Sequence, residues 1–253
     1  MINQCPRQGL TWDVMFIGTL WEKIKSALQN QACLLCSHSL NSTKPFCDQC
    51  VERLNFRDYQ PILELAFGQI HAATQLNPEV KRLLYGHKFY KRQEYVPQLT
   101  GMLVHYWESS LSGQLDFKAI HPENVLVAPI PPHTGTTSKI DLFASRFARH
   151  FGYDYRYDLL NWMREVRPQH HIHEKQDRYS NVAQSLRLKS GIIASYRKVI
   201  IVDDLTTTGA TLMEAGRAFQ DESGQSLSRK QDLICLAISH VPFGSQTRQG
   251  QSL

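Results

Sequence analysis

Length, composition and charge place this chain among ordinary globular proteins. Its 253 residues are 42% hydrophobic and 20% charged, a mixture that excludes wholesale disorder and the collagen-like and mucin-like classes. The length suffices for one sizeable domain with a small appendage, or for two modest domains. A formal net charge of +5 is compatible with phosphorylated ligands or nucleic acid but is too small to indicate either.

Neither a secretory signal nor a membrane span is expected. Residues 1–20 contain an early arginine and a broken apolar pattern, without a long apolar stretch or a small-residue cleavage site. No segment approaches the roughly 18 consecutive apolar residues that cross a bilayer. We therefore expect a soluble cytoplasmic protein. The cysteines agree, because four of the six lie in two close pairs that suit a metal better than disulfides.

The first part of the chain has helical patterns on both sides of a cysteine-rich segment. Apolar residues between Leu10 and Leu28 recur at spacings of three and four, which predicts an amphipathic helix. Two more helices are expected between Pro78 and Trp107, and residues 61–73 are expected to be extended or loop-like. We place the domain boundary at the beginning of residues 61–73. The expected domains are an N-terminal helix with the cysteine segment at 1–60 and a second domain at 61–253, with a flexible tail from about 243.

The second part of the chain alternates strands and helices. Apolar runs at 125–128, 199–202 and 233–238 predict buried strands, and helical patterns at 140–151 and 212–219 separate them. This alternation predicts an α/β fold with a mostly parallel sheet. In such sheets, ligands bind at the carboxyl ends of the strands.

Four cysteines form two hooks with metal-ligand spacing. Two residues separate the members of each pair, and ten residues separate the pairs; the cysteines are Cys33, Cys36, Cys47 and Cys50. Two such hooks complete a tetrahedral four-thiolate site, which favours structural zinc and leaves no position open for catalysis. Reduced cysteines without metal, or an iron site, are the alternatives. The segment has too little apolar surface to fold alone, so a bound metal would supply its folding energy.

The most informative segment follows the apolar run at 199–202. Asp203 and Asp204 come at the end of that strand, and a loop rich in hydroxyl groups then opens a helix. Backbone amides at a helix N-terminus and nearby hydroxyls form a phosphate cradle, and Gly209 permits close approach of the backbone. Ribose hydroxyls can donate to the two carboxylates. The residues expected to hold a phosphorylated ligand are Thr206, Thr207, Thr208, Gly209, Ala210 and Thr211. The alternative is a plain strand–turn–helix with capping threonines and a solvated acidic pair.

Residues 199–211 resemble the signature with which type I phosphoribosyltransferases bind phosphoribosyl pyrophosphate (PRPP). Together with the four cysteines, the chain resembles the ComF family from about Cys33 to Ile238. Members of this family are zinc-ribbon proteins with a phosphoribosyltransferase-like domain, associated with competence and DNA uptake. Residues 81–91, 127–132 and 178–182 are similar to the family's basic–aromatic stretch, its loop near the pyrophosphate and its Arg-x-x-Asn-Val segment.

The resemblance implies a sheet of the type I phosphoribosyltransferase kind and PRPP or ribose-5-phosphate as ligand. Asp203 and Asp204 would be the catalytic residues, magnesium would bind with PRPP, and zinc would be structural. Arg178 would contact phosphate. A histidine-rich stretch at 170–173 precedes it, which we interpret as an active-site flap, an exposed loop or a metal ligand set.

The chain departs from the family pattern at residues 135–139. The family usually carries Arg-Gly-Phe-Asn-Gln, whereas this chain reads Gly-Thr-Thr-Ser-Lys. Lys139 supplies a positive charge for a phosphate but lacks the bidentate fork of arginine. The departure leaves open whether catalysis survives.

Two functions of different classes follow. The first is binding of PRPP or ribose-5-phosphate, with or without phosphoribosyl transfer to an acceptor that the sequence does not specify. The second is a non-enzymatic module for single-stranded DNA, with competence helicase and uptake proteins as partners. For the second, cations and aromatic rings interleave between Lys81 and Arg92, as in single-strand binding surfaces. An amphipathic helix with a solvated basic face explains the same pattern. A ligand-sensing regulator ranks below both.

Overall fold

A computed structural model describes most of the chain. The described residues are 32–40, 42–65, 68–115, 120–132, 140–167, 174–189, 195–223 and 233–242. Several sequence predictions lie outside them: the helix at 10–28, the altered loop at 135–139 with Lys139, the histidines at 170–173 and the tail from 243.

The strands and helices alternate along the chain in the predicted manner. The strands are β1 (Leu63–Glu64), β2 (Gly68–Gln75), β3 (Val125–Pro129), β4 (Asp154–Tyr155), β5 (Leu160–Trp162), β6 (Leu186–Leu188), β7 (Lys198–Thr206) and β8 (Leu233–His240). The α-helices are α1 (Asp48–Leu54), α2 (Pro78–Tyr90), α3 (Val96–Tyr106), α4 (Ile140–Phe151), α5 (Lys175–Val182) and α6 (Ala210–Ser223). Short 3-10 turns lie at Gln93–Tyr95 and Pro122–Asn124, and a π-helical turn at Trp107–Leu111 continues α3.

A six-stranded sheet in the order β1-β2-β8-β7-β3-β4 forms the centre of the fold. All its neighbouring strands are parallel except β1, which runs antiparallel to β2. Strands β5 and β6 form a separate antiparallel pair. The predicted α/β fold with a mostly parallel sheet is therefore confirmed.

Strand β7 is covered on both faces, which explains its nearly unbroken apolar run. Ile200 and Val202 pack in a core cluster with α3 and α4. Val199 and Ile201 pack on the opposite face, in a second cluster with residues of α6. The alternation follows from the two-residue repeat of a strand. Because both faces of the sheet are covered, a ligand reaches it at the ends of its strands and not through its faces.

Strand β2 is the main difference from the sequence interpretation of residues 61–73. Of the two expected conformations, extended or loop-like, Gly68–Gln75 has the extended one, but as a buried strand that pairs in parallel with β8 and that the sequence did not indicate as part of the sheet. His71 and Thr74 interrupt the apolar pattern that would have indicated a buried strand. Both are fully buried and hydrogen-bonded: Thr74 Oγ1 donates to Ile238 O at 2.9 Å, and His71 Nε2 lies 3.1 Å from Gln69 Oε1.

The cysteine segment packs against α3. Phe46, between the two cysteine pairs, is 1% exposed and belongs to the core cluster that contains α3 and one face of the sheet. Gly101 on α3 permits this contact, because a Cβ there would lie 2.7 Å from Leu34 Cδ1 and 3.2 Å from Phe46 Cζ. Helix α3 therefore lies between the cysteines and the sheet. In the part of the chain that the structure describes, no helix has the length and apolarity needed to cross a membrane.

Candidate functional site

Strand β7 carries the acidic pair to the side of the sheet where its parallel strands have their carboxyl ends, which we call the edge of the sheet at the end of β7. It lies between β3 and β8, and Asp203 is in register with Ala237 of β8. The strand continues through Thr206, so this threonine is a strand residue and not part of the loop that we predicted. The turn at residues 207–209, which we call the threonine–glycine loop, then leads into α6 at Ala210. The acidic pair and the loop thus share one end of a central strand, as the sequence predicts.

The two carboxyl groups of the acidic pair interact with each other. Asp203 is 8% exposed, and its Oδ1 accepts a hydrogen bond from the backbone N–H of Asp204 at 2.8 Å. Burial, followed by the nearby charge of Asp204, raises the pKa of Asp203 to about 7. A proton held there lets the two carboxyl groups share a hydrogen bond. The pair therefore changes its charge near neutral pH.

Lys88 is the counter-charge of the pair. Its Nζ lies 2.8 Å from Asp204 Oδ2, with the Asp204 side chain 16% exposed and that of Lys88 48% exposed. Burial alone would lower the pKa of Lys88, but the Asp204 carboxylate outweighs this effect and the pKa is raised. The sequence pattern places Lys88 only in the basic–aromatic stretch at 81–91. No local sequence signal links it to Asp204, because α2 and β7 are far apart along the chain.

The threonine–glycine loop ends in a residue with left-handed backbone conformation. Gly209 has φ +78°, in the left-handed region, and a Cβ there would lie 3.3 Å from Ile70 Cδ1. Thr208 Oγ1 accepts from Ala210 N–H at 3.3 Å, so this hydroxyl caps α6 as in the alternative interpretation. Thr211 lies in the first turn of α6. The cap uses an acceptor lone pair of Thr208, so its O–H is still able to donate to a ligand.

Helix α5 and strand β8 hold the loop from two sides. Arg178, which is 6% exposed, donates from Nη1 to Thr207 Oγ1 at 2.5 Å. Tyr179 Oη donates to Thr208 O at 2.8 Å, and His240 Nε2 lies 3.1 Å from Thr207 O. Arg178 therefore lies beside the loop, where we expected a phosphate contact. Sequence reasoning missed Tyr179 and His240, which reach the loop only through tertiary contacts.

The four cysteines form a single cluster. All four Sγ atoms lie within 4.8 Å of one another, and Cys36 Sγ and Cys47 Sγ are 3.7 Å apart. Tetrahedral zinc with Zn–S bonds of about 2.3 Å separates its sulfurs by about 3.8 Å. The spacing of these sulfurs therefore fits a four-thiolate ion site.

Backbone donors prepare one cysteine of the cluster as a thiolate. Burial disfavours ionisation of Cys33, but N–H groups of Cys47, Cys36 and Leu35 outweigh it and lower the pKa of Cys33 to about 6. One of these donors is Cys47 N–H, 3.4 Å from Cys33 Sγ. Cys50 differs, because burial and the neighbouring thiols raise its pKa. A bound cation would favour the ionised form of all four sulfurs.

Comparison with known proteins finds weak similarity to solved structures. The chain matches no protein-family model and no curated protein. Among solved structures it is similar to an adenine phosphoribosyltransferase from Leishmania donovani, with a TM-score of 0.30 and 13% sequence identity. The alignment covers 80% of this chain and 86% of that chain.

The protonation of Asp203 predicts a particular pH dependence. Between about pH 4 and pH 7 the folded protein keeps a proton that the unfolded chain loses, so the carboxyl group of Asp203 makes folding less favourable as the pH rises. Asp203→Asn removes this group and keeps an acceptor for Asp204 N–H. Relative to wild type, the free energy of unfolding of Asp203→Asn should therefore increase from about pH 5.5 to about pH 8, measured by urea denaturation.

Asp158→Asn is the matched control for this measurement. Asp158 lies 2.7 Å from Lys189 Nζ, and the hydrogen bond with that lysine lowers its pKa. This substitution should not reproduce the gain in stability at high pH. A difference between Asp203→Asn and wild type that does not change with pH would contradict the assignment of the proton to Asp203.

Proposed function

We propose that the edge of the sheet at the end of β7 binds PRPP or ribose-5-phosphate. The observation that carries the proposal is the placement of two carboxyl groups and the threonine–glycine loop together, at the N-terminus of the 14-residue helix α6. Amides at a helix N-terminus bind phosphate, and carboxylates accept from the hydroxyls of a sugar. A ribose phosphate offers both groups on one small molecule.

Each part of the site would have a separate role. The loop amides and the Thr208 hydroxyl would hold the 5-phosphate, with the Arg178 guanidinium adding positive charge beside Thr207. Asp203 and Asp204 would accept from the ribose hydroxyls. Lys88 would offset the negative charge of the pair, which would otherwise repel an incoming phosphate.

Phosphoribosyl transfer is the reaction that this arrangement could support. The bond from C1 of the ribose to pyrophosphate would break, with the electron pair leaving on pyrophosphate, while a lone pair of the acceptor bonds to C1. Asp203 and Asp204 would stabilise the positive charge that develops on the ring. Magnesium supplies charge neutralisation of the pyrophosphate when bound, and carboxylate oxygens are donors that suit it.

We extend the proposal to the family that the sequence resembles. A four-cysteine cluster followed by a mostly parallel α/β sheet occurs here in one chain, in the order of ComF proteins. On this basis the protein would act in DNA uptake, with competence helicase and uptake proteins as partners. The four cysteines would hold one structural zinc ion, because their spacing suits a closed tetrahedral site.

Ligand titration tests the ribose phosphate site. At pH 8, above the pKa of Asp203, replacing both Asp203 and Asp204 by Asn should weaken PRPP binding by at least about tenfold, because hydrogen bonds to charged acceptors contribute about 1.5–3 kcal/mol each. Thr208→Val should weaken ribose-5-phosphate as much as PRPP, since both carry the 5-phosphate. Calorimetric titration with magnesium gives the affinities, and circular dichroism verifies folding.

Thr100→Val is the control for the threonine substitution. Thr100 is buried on α3 and its Oγ1 has no hydrogen-bond partner among the described residues, so Val should be tolerated without loss of binding. If wild-type protein binds neither ligand at millimolar concentration, the proposal is wrong. If the double Asn variant binds as well as wild type, the pocket lies elsewhere.

Metal analysis tests the zinc proposal. Protein purified without added metal should contain about one zinc per chain, as expected of a closed structural site. Cys36→Ser should lose the metal and melt at a lower temperature, because the segment packs on α3 through Leu34 and Phe46. Cys235→Ala, which removes a buried thiol on β8, should keep the metal. Unchanged zinc in Cys36→Ser would exclude the assignment.

Single-stranded DNA binding is a second candidate function, favoured by a groove on α2. We call it the basic–aromatic groove; its volume is about 430 Å³, and it is lined by Pro78, Lys81, Arg82, Tyr85, Gly86, Tyr90, Arg92 and Tyr95. Lys81 Nζ lies 5.4 Å from the Tyr85 ring centre, and Tyr90 is 76% exposed. Cations follow a phosphate backbone while exposed rings stack on bases. The opposite face of α2 buries Val80, Leu83 and Leu84, as an amphipathic helix does.

Salt dependence tests the DNA candidate. Fluorescence anisotropy with a single-stranded oligonucleotide should show log affinity falling with log salt, by about −0.7 per phosphate contact. Lys81→Gln with Arg92→Gln should flatten that slope, whereas Lys189→Gln, outside the groove, should not. Lys88 is left intact, because it contacts Asp204. If the affinity does not change with salt concentration, or is the same in the variant with both groove substitutions, only the amphipathic-helix interpretation of this stretch stands.

A further inference from the structure

A polar depression lies beside the threonine–glycine loop. We call it the Arg57 depression; its volume is about 240 Å³ and it is lined by Asn55, Phe56, Arg57, Asp58, Gln60 and Gln75. Gln75 ends β2 and is in register with His240 of β8, which is itself in register with Thr206 of β7. Neighbouring strands lie about 4.8 Å apart, so the depression is within about 10 Å of the end of β7.

Arg57 has an unusual lack of partners for a half-buried guanidinium. Its backbone N–H bonds to Ala73 O, which fixes the chain, but its buried Nε has no hydrogen-bond partner. In the described part of the chain, no carboxylate lies within ion-pair distance of Arg57, and this includes Asp58 in the same depression. Buried donors are normally satisfied, so the orphaned Nε requires an explanation.

The groups behind Arg57 are polar but uncharged. Burial, and after it the charge of Arg57, lowers the pKa of the fully buried His71 to about 4, so this histidine is neutral near pH 7. The same two causes, in the same order, lower the pKa of His240. Tyr106 Oη donates to Asp58 O at 3.1 Å, and burial raises its pKa. None of these groups neutralises the guanidinium.

His240 contributes an unused acceptor next to this cation. Its Nε2 lies 3.1 Å from Thr207 O, a carbonyl that can only accept, so Nε2 carries the proton and Nδ1 has a lone pair. Nδ1 is buried and has no partner within the described residues. An unmet donor on Arg57 and an unmet acceptor on His240 thus lie on neighbouring segments at the same edge of the sheet.

We propose that the Arg57 depression binds the carboxylate of a small ligand. The guanidinium fork matches a carboxylate in two parallel hydrogen bonds, and the amide groups of Asn55, Gln60 and Gln75 are further donors. The lining contains one cation, Arg57, and one carboxylate, Asp58, which lies outside ion-pair distance of Arg57; it has no second cation for the second charge of a phosphate. If the proposed function holds, this ligand is the acceptor of the phosphoribosyl group, held beside the donor.

Benzoate, a planar monocarboxylate, is the probe for this site. Added to the full chain at constant ionic strength, with chloride as the reference anion, it should raise the melting temperature in a saturable way. Arg57→Gln should weaken the apparent benzoate affinity at least about tenfold, and Arg57→Lys should weaken it less, because lysine keeps the charge without the fork. Arg187→Gln, an exposed arginine on β6, should respond like wild type. An equal response of Arg57→Gln and wild type, or no response of wild type at tens of millimolar, would overturn the proposal.

Two further measurements distinguish carboxylate binding from a structural role of Arg57 and from binding of phosphate. Without ligand, Arg57→Gln should melt at or above the wild-type temperature, because it removes an unsatisfied buried donor; a lower value would assign Arg57 a structural role and overturn the site. Inorganic phosphate should act through Thr208 and not through Arg57. A phosphate response that is lost in Arg57→Gln would overturn the carboxylate assignment.

Ribose-5-phosphate distinguishes failure of this inference from failure of the proposed function. Arg57→Gln should bind it normally, and Thr208→Val should bind benzoate normally. If wild type binds ribose-5-phosphate but not benzoate, the carboxylate site is wrong and the proposed function is unaffected. If wild type binds benzoate through Arg57 but does not bind ribose-5-phosphate, the carboxylate site stands and the proposed function is wrong.

Discussion

Strand β7 is paired on both edges and covered on both faces, and this burial determines what the residues at its end are able to do. A carboxyl group in such a place loses its hydration, so Asp203 keeps a proton to near neutral pH even though two neighbouring groups partly compensate its charge. The compensation comes from the neighbouring amide of Asp204 and from Lys88 on α2. The chemistry of the edge thus follows from the packing of the sheet beneath it.

Positive charge reaches this edge from separate parts of the chain. Lys88 comes from α2, Arg178 from α5, and Arg57 from the segment after α1. Each cation has a different environment: Lys88 pairs with an acid, Arg178 donates to a threonine hydroxyl, and Arg57 Nε has no acceptor among the described residues. Cations that are already paired exert less attraction on a further anion than one that is not.

The cysteine cluster is connected to the sheet through packing and not through the site. Phe46 and Leu34 contact α3 at Gly101, and α3 packs on the face of the sheet that contains Ile200 and Val202. A metal at the cluster would therefore stabilise the core on which β7 rests. It would not touch the acidic pair directly. An effect of this closed site on the end of β7 would therefore pass through the packing of the core and not through an open coordination position.

The sequence by itself determined the features that depend on local order. Continuous apolar runs indicated β3, β7 and β8, because strands covered on both faces leave no polar side to interrupt the run. The cysteine spacing predicted a cluster, since two intervening residues let both thiols of a pair face one point. Gly209 marked a close approach of the backbone, because a residue without Cβ leaves room for a neighbouring group.

Only the tertiary structure decided which distant groups meet. Strand β2 was missed because its buried His71 and Thr74 are satisfied by partners that the local pattern does not reveal. The ion pair of Lys88 with Asp204 and the unsatisfied Nε of Arg57 are likewise products of folding. Periodicity in a sequence reports which side of an element is buried. The electrostatic partner of a side chain depends on the path of the chain through space. For these residues, that path brings together segments that are far apart in the sequence.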